Sequence, residues 1–544
     1  MLTLIAAPGV RAAREVGAAS TDWLTSRRQT LPSAPEALPL TPPAVDRAAV
    51  FRFAWSAYLF IHHSIVYWAW FRLRNGAGQW DIDDTFPGLL LWSVAAITLL
   101  KRAPLRWFTA LLVCHLCYEL PALPKTANHT FLTILMNFTM LATIGVATIR
   151  TLGRIFAREP KPIDADTLYP RLMALLRLEV LVMYGFVVLH KLNADYFNPA
   201  YSAATNLYRE IVEMYWFLPF PSGSWTDPFC IYGAIGCEAA IPLLLTFRRT
   251  RLFGVGLGLV FHLMLSPHSN SFIFSFSTLL YAAYFLFLPT DVLGEMRQSW
   301  ATLLTNIRER TWLFAAGVFF PLGAVLAIRI LAPKFAQDLD LIDRVHIFLG
   351  AAVRFAWNVF ALFNLFAFAR AVWFCRIRQG IATVVTPSRE PLFRPAVSLL
   401  LVFPLLVLFN GLCPYLSLKT ESAFAMYANL RTEGERNNHL FMPRFKLAGY
   451  QDDIVEIVGS SDDQLLDLKR EGYGWTYFEL RRKLSRVRSA KFWVTFKRNG
   501  GPEQTLRYIT DSANPAFAAL PWYERRLLFF RDVQLGDSPQ LCGH

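Results

Sequence analysis

LMALLRLEVLVMYGFVVLHK, residues 172–191, reads as a membrane span: apolar from 172 to 189 apart from Arg177 and Glu179, then closed by His190 and Lys191. A helix rises 1.5 Å per residue, so ~20 apolar residues cross a hydrocarbon core ~30 Å thick. Worked outward from this stretch, the same scale gives spans near 49–71, 86–100, 105–120, 130–149, 172–190, 229–246, 252–268, 272–289, 312–332, 346–374 and 394–412. A shorter apolar stretch, Leu207 to Leu218, reads as re-entrant or interfacial.

The composition of the 544 residues agrees: 54% are hydrophobic, 17% charged, and the mean hydropathy is +0.33. In a soluble chain, a net charge of +14 would suggest nucleic acid or an acidic surface as partner. Here it belongs to basic loops that fix topology, and no nucleic-acid partner is expected. Alternate loops are rich in arginine and lysine: Arg27, Arg28 and Arg47; Lys101, Arg102 and Arg106; Arg150, Arg154 and Arg158; Arg248, Arg249 and Arg251; Arg308 and Arg310; Arg376 and Arg378. The positive-inside rule puts these in the cytoplasm, and an odd number of spans then puts the C-terminus outside.

The N-terminus lacks the basic lead of a signal peptide, and residues 1–47 form a basic, proline-rich lead-in. Past Cys413 charge is spread throughout. FKLAGY and DIVEIV read as strands, Asp462–Val487 as helix, and AKFWVTFKRNGG with TLRYIT as a hairpin. The expectation is an all-α polytopic bundle of about eleven spans, with residues 414–544 as a small extracytoplasmic α+β domain.

Ionisable residues inside spans need a partner or a role. Asn128-His129, His190-Lys191 and His262 with His268 fall at one depth on the outer side, and Glu238 sits mid-span. Each has a bland reading. Lys191 snorkels to headgroups, Glu238 pairs with Arg177 or Arg354, and His62-His63 hydrogen-bond a neighbouring helix. Cys114 and Cys117 form C-x-x-C within an apolar helix, where packing outweighs redox use. Cys413 and Cys542 lie outside the membrane on this topology, where a disulfide is available to them. No phosphate loop, dinucleotide fingerprint, G-x-S-x-G or zinc spacing is present, so no metal site is expected.

AVFRFAWSAYLF (49–60), ANHTFL (127–132), LVMYGFVVLHKLNADYF (181–197) and CEAAIPLLLTFRRTRLFGVGLGLVFHLMLS (237–266) resemble the membrane domain of vitamin K-dependent gamma-carboxylase. The wider resemblance is to HTTM (horizontally transferred transmembrane) domain proteins over roughly 45–290, with further spans in 291–413. Residues 411–443 resemble a stretch found in some bacterial members, which suggests a bacterial cell membrane as the location.

The resemblance implies that Lys191 is the base that deprotonates a vitamin K hydroquinone or menaquinol. O2 and CO2 would be co-substrates, and a protein or peptide glutamate the acceptor. It also implies catalytic roles for His129 and His262, with Asn128, His190 and Asn193 binding substrate around them. The carboxylase has a second lysine where this chain has His190, and its long lumenal domain has no counterpart here.

Three functions follow. The first is a quinol-dependent epoxidase or carboxylase, and the second a non-catalytic lipid- or isoprenoid-binding protein on the same fold. The third is a transporter with Glu238 and Arg354 in a midplane path.

Overall fold

The computed structural model describes residues 46–75, 82–156, 165–214, 219–266, 268, 271–309, 357–375, 398–536 and 538–541. Helices α1 (Arg47–Asn75), α2 (Ile82–Leu100), α3 (Leu105–Glu119), α4 (Asn128–Phe156) and α5 (Ala165–Lys191) open the bundle. They are followed by α6 (Ala203–Met214), α7 (Thr226–Thr246), α8 (Arg251–Leu265), α9 (Ser271–Tyr284) and α10 (Thr290–Glu309). Helix α11 covers Trp357–Cys375, and α12 is Val402–Leu412.

Among the described residues, four stretches are long and apolar enough to cross a membrane: Asn128–Ile149, Leu172–Lys191, Thr226–Thr246 and Trp357–Cys375. Pro87–Leu100, Arg251–Leu265, Ile273–Phe287 and Leu399–Leu412 are apolar but shorter. The expected span at 312–332 lies outside the described residues, as does 346–374 before Trp357. Of the stretch expected to be re-entrant or interfacial, 207–214 lie in helix α6, which carries Glu210 and Glu213, and 215–218 lie outside the described residues.

One apolar core runs through the bundle. Phe51 and Trp55 of α1, Met136 and Met140 of α4, Tyr184 of α5, Phe274 and Tyr284 of α9 and Trp357 of α11 are all buried in it. Phe424, from beyond the last helix, belongs to the same core.

The C-terminal part is α+β. Strands β1 (Ile454–Ser460), β2 (Tyr473–Thr476), β3 (Trp493–Arg498), β4 (Glu503–Arg507) and β5 (Val533–Gln534) form one antiparallel sheet in the order β4-β3-β1-β2-β5. The DIVEIV strand and the hairpin form as their alternation predicts. FKLAGY forms no strand. The single helix expected over 462–487 is two, α13 (Asp463–Glu471) and α14 (Tyr477–Leu484), with β2 between them. Gly472 explains the break. Its φ of 74° closes α13 in the left-handed conformation, and aromatic Tyr473-Gly474-Trp475 then pairs with β1 and β5.

Residues 413–453 have almost no regular structure but bind both neighbours. Toward the bundle, Phe424 N–H donates to Asn128 Oδ1 (2.5 Å), Leu440 N–H to Leu192 O (3.0 Å) and Asn429 Nδ2 to Tyr201 O (3.0 Å). Toward the sheet domain, Arg531 Nε donates to Glu433 Oε1 (2.9 Å) and Thr420 N–H to Phe529 O (3.2 Å). Ser417, Ser422, Phe424, Tyr427 and Asn429 all have φ between 48° and 64°. A non-glycine residue there costs about 1–3 kcal/mol, so surrounding bonds must hold each in place. The described residues from 46 onward form one compact unit.

Candidate functional site

Lys191 ends α5 and Glu238 sits midway along α7. The ammonium reaches the carboxylate with both oxygens engaged, Nζ to Oε1 at 2.7 Å and to Oε2 at 2.6 Å. Lys191 is 5% exposed and Glu238 8%. The lysine therefore turns into the bundle rather than toward headgroups, which corrects the snorkelling reading. Glu238 also does not pair with Arg177, whose Nε donates to Leu286 O (2.7 Å) while its guanidinium lies over the Phe287 ring. Arg354 lies outside the described residues.

Tyr184 stands two turns before Lys191 on α5, hence on the same face. Its hydroxyl meets His262 Nε2 at 2.9 Å and the Tyr284 hydroxyl at 2.6 Å. Ser277 Oγ lies 3.4 Å from the other His262 nitrogen. Gly258, one turn before His262, makes the arrangement possible, because a Cβ there would run into the Tyr284 phenol. Lys191 interacts electrostatically with His262, and Glu238 with Tyr184. These six side chains form one buried polar group.

A second group holds four imidazoles. The His62 ring lies 4.7 Å from that of His63 and 5.6 Å from that of His129, and His63 lies 5.2 Å from His115. Glu119, at the end of α3, is 4.0 Å from His62 Nε2. All five are buried. His62 Nδ1 bonds to Ser275 Oγ on α9, so that histidine does bind a neighbouring helix as expected. The Phe276 ring lies between the two groups, 6.4 Å from His129 and 5.4 Å from His262. The sequence expectation put His129, His262 and Lys191 together. In the structure His262 stands with Lys191, and His129 stands with the imidazoles across Phe276.

The three residues expected to bind substrate have polar atoms engaged by the chain itself. Asn128 accepts from Phe424 N–H, and His190 Nε2 meets Gly411 O at 3.0 Å. Asn193 donates to His190 O and Ala428 O and accepts from Tyr196 N–H (2.9 Å). Asn128 and Asn193 fasten the segment after α12 to the ends of α4 and α5, and His190 fastens α12 itself. His268 pairs with Glu210 of α6 at 2.9 Å. Cys114, Cys117 and Cys413 are free thiols, and Cys542 lies outside the described residues.

The sequence reading missed Tyr184, Tyr284, His115, Glu119 and Glu179. Glu179 is fully buried mid-helix in α5, where Thr139 donates to it at 2.5 Å. Its signal was present as a carboxylate inside a span.

A separate cleft of about 560 Å³ lies beside the sheet, lined in part by Lys125, Glu479, Arg482, Lys483, Arg486 and Asp532. Burial pushes the Glu479 carboxyl up to about 7, with Arg482 pulling the other way from 3.4 Å.

Among the described residues, four helices long and apolar enough to cross a membrane fit an integral membrane protein. Residues 92–291 match the family model of the HTTM domain, so α2 from Trp92 through α9 lies in an HTTM domain. The match starts later than the resemblance at 45–290 suggested, leaving α1 outside it. Neither the curated proteins nor the solved structures contain a match to the chain.

Proposed function

We propose that this protein is a membrane enzyme that removes a proton from a hydrophobic quinol, with Lys191 as the base. The observation that carries the reading is the buried Lys191–Glu238 pair. An ammonium has no lone pair to offer, so a lysine base must first lose its proton. Glu238 can accept it, because in a low-dielectric site the amine–carboxylic acid state competes with the ion pair. The freed Nζ then takes a phenolic proton. Tyr184, Tyr284 and His262 supply hydrogen bonds to the phenolate that forms, and Phe276 supplies an aromatic face for its ring.

HTTM membership favours a quinol as substrate, with O2 consumed in epoxide formation and CO2 in any coupled carboxylation. The loop charges favour a cytoplasmic N-terminus and an extracytoplasmic C-terminal domain, and the resemblance of residues 411–443 to bacterial members favours a bacterial cell membrane.

The test supplies purified protein with menaquinol or vitamin K hydroquinone and O2, and measures the epoxide. Wild type forms it, while Lys191→Ala and Lys191→Arg do not, since a guanidinium stays protonated. Activity of the arginine variant equal to wild type would end the base assignment. No epoxide from wild type, with the quinone still quenching tryptophan fluorescence, would leave a binding protein.

A further inference from the structure

His62 and His63 of α1 and Glu119 of α3 bring one ligand atom each to within 4.8 Å of one another. They are 2%, 2% and 6% exposed. His62 Nδ1 is occupied by Ser275 Oγ, while Nε2 points at the Glu119 carboxylate from 4.0 Å, too far for a hydrogen bond. In the tautomer in which Ser275 Oγ accepts from Nδ1–H, Nε2 presents a lone pair to the carboxylate. Two electron-rich atoms then face each other in a dry site. His63 Nε2 is buried with no hydrogen-bond partner, an omission costing about 1–3 kcal/mol unless something else binds it. A cation placed among the three would answer all of this.

His115 is near but differs. Indole Nε1–H of Trp55 only donates, and it donates to Asn137 Oδ1 (3.0 Å). The amide NH2 of Asn137 therefore faces His115 Nδ1 (3.0 Å), and the ring proton must sit on Nε2. A protonated nitrogen cannot ligate.

We propose that His62, His63 and Glu119 bind one divalent first-row transition-metal ion, through two imidazole nitrogens and one carboxylate oxygen. Two nitrogens exclude the all-oxygen preference of calcium and magnesium, and the set suits zinc or ferrous iron with positions left open. Around such an ion neighbouring ligand atoms lie roughly 3.0–3.4 Å apart. The three side chains would draw together on binding, chiefly by rotation of Glu119 at its helix end. Ser275 plays the part usual for a ligating histidine's other nitrogen, fixing tautomer and ring orientation. His62 and His63 lie outside the HTTM match, and the proposal does not depend on the quinol reading.

The test uses the full chain in detergent, chelator-stripped, then titrated with Zn2+ or with Co2+ as a spectroscopic stand-in. Mass spectrometry of the metal and the visible cobalt spectrum are the readouts. Wild type should take up one equivalent. His63→Gln and Glu119→Gln should weaken binding by at least about tenfold, and His115→Gln should leave it within about twofold of wild type. His63→Cys should bind Co2+ with a new sulfur-to-metal charge-transfer band, which a merely structural histidine would not produce. Failure of wild type to bind, or unchanged binding in both His63→Gln and Glu119→Gln, would overturn the site. Loss in His115→Gln as deep as in His63→Gln would overturn the ligand assignment. Metal content is read without turnover, so failure here is separate from failure of the quinol reading.

Discussion

Lys191→Met removes one half of a buried pair and leaves Glu238, 8% exposed, with its partner gone. At 2.6–2.7 Å the pair's attraction is about 6 kcal/mol at an effective dielectric of about 20. The cost of taking both charges out of water offsets most of it, so the pair's net worth is small. Breaking it is different, because the desolvated carboxylate keeps its penalty and loses its compensation. Lys191→Met and Glu238→Met should each lose about 3–5 kcal/mol. The double variant, with two apolar side chains of similar volume, should return to within about 1 kcal/mol of wild type. Unfolding by denaturing detergent in mixed micelles, followed by tryptophan fluorescence, gives all four corners of the cycle. Single variants that lose under about 1 kcal/mol, or a double variant that loses the sum of the two, would refute the picture of a desolvated, mutually dependent pair.

Gly258→Ala should lose about 1–3 kcal/mol by overpacking and displace Tyr284 from Tyr184, visible as a shift in tyrosine absorption. Asn193→Ala strips hydrogen bonds from His190 O, Ala428 O and Tyr196 N–H, costing about 2–4 kcal/mol. Limited proteolysis should then cut within 413–443. Burial raises the Glu479 carboxyl from 4.5 to about 7, so between those values the folded state binds more protons than the unfolded one. Stability of the C-terminal domain should therefore fall by about 3 kcal/mol as pH rises from 4.5 to 7, then level off. Glu479→Gln should flatten this window, as read by hydrogen exchange.

Much of the bundle was legible because hydropathy is summed over twenty residues and tolerates local error. Pairings were not. Lys191 and Glu238 are 47 positions apart, and a lysine side chain reaches far enough to meet a carboxylate that helix depth alone puts elsewhere. The imidazole group was split among α1, α3 and α4, so no spacing signalled it. His115 and Glu119 were also overshadowed by the C-x-x-C beside them. The 462–487 region misled because its charge pattern suits a helix, while one glycine and a short aromatic strand decide its path. Residues 413–453 had no periodicity to read, since their bonds run from side chains to distant backbone.

That segment bears on how such a chain can be rearranged over evolution or by hand. Composition changes at Cys413, yet a cut there would strand Phe424 outside the core it fills and take partners of Asn128 and Asn193 away. A cut after Pro443 would leave Glu433 buried without Arg531. The heritable module is therefore bundle, segment and sheet together. A recombination event that exchanged only the C-terminal domain would have to bring its own replacement for the arginine clasp.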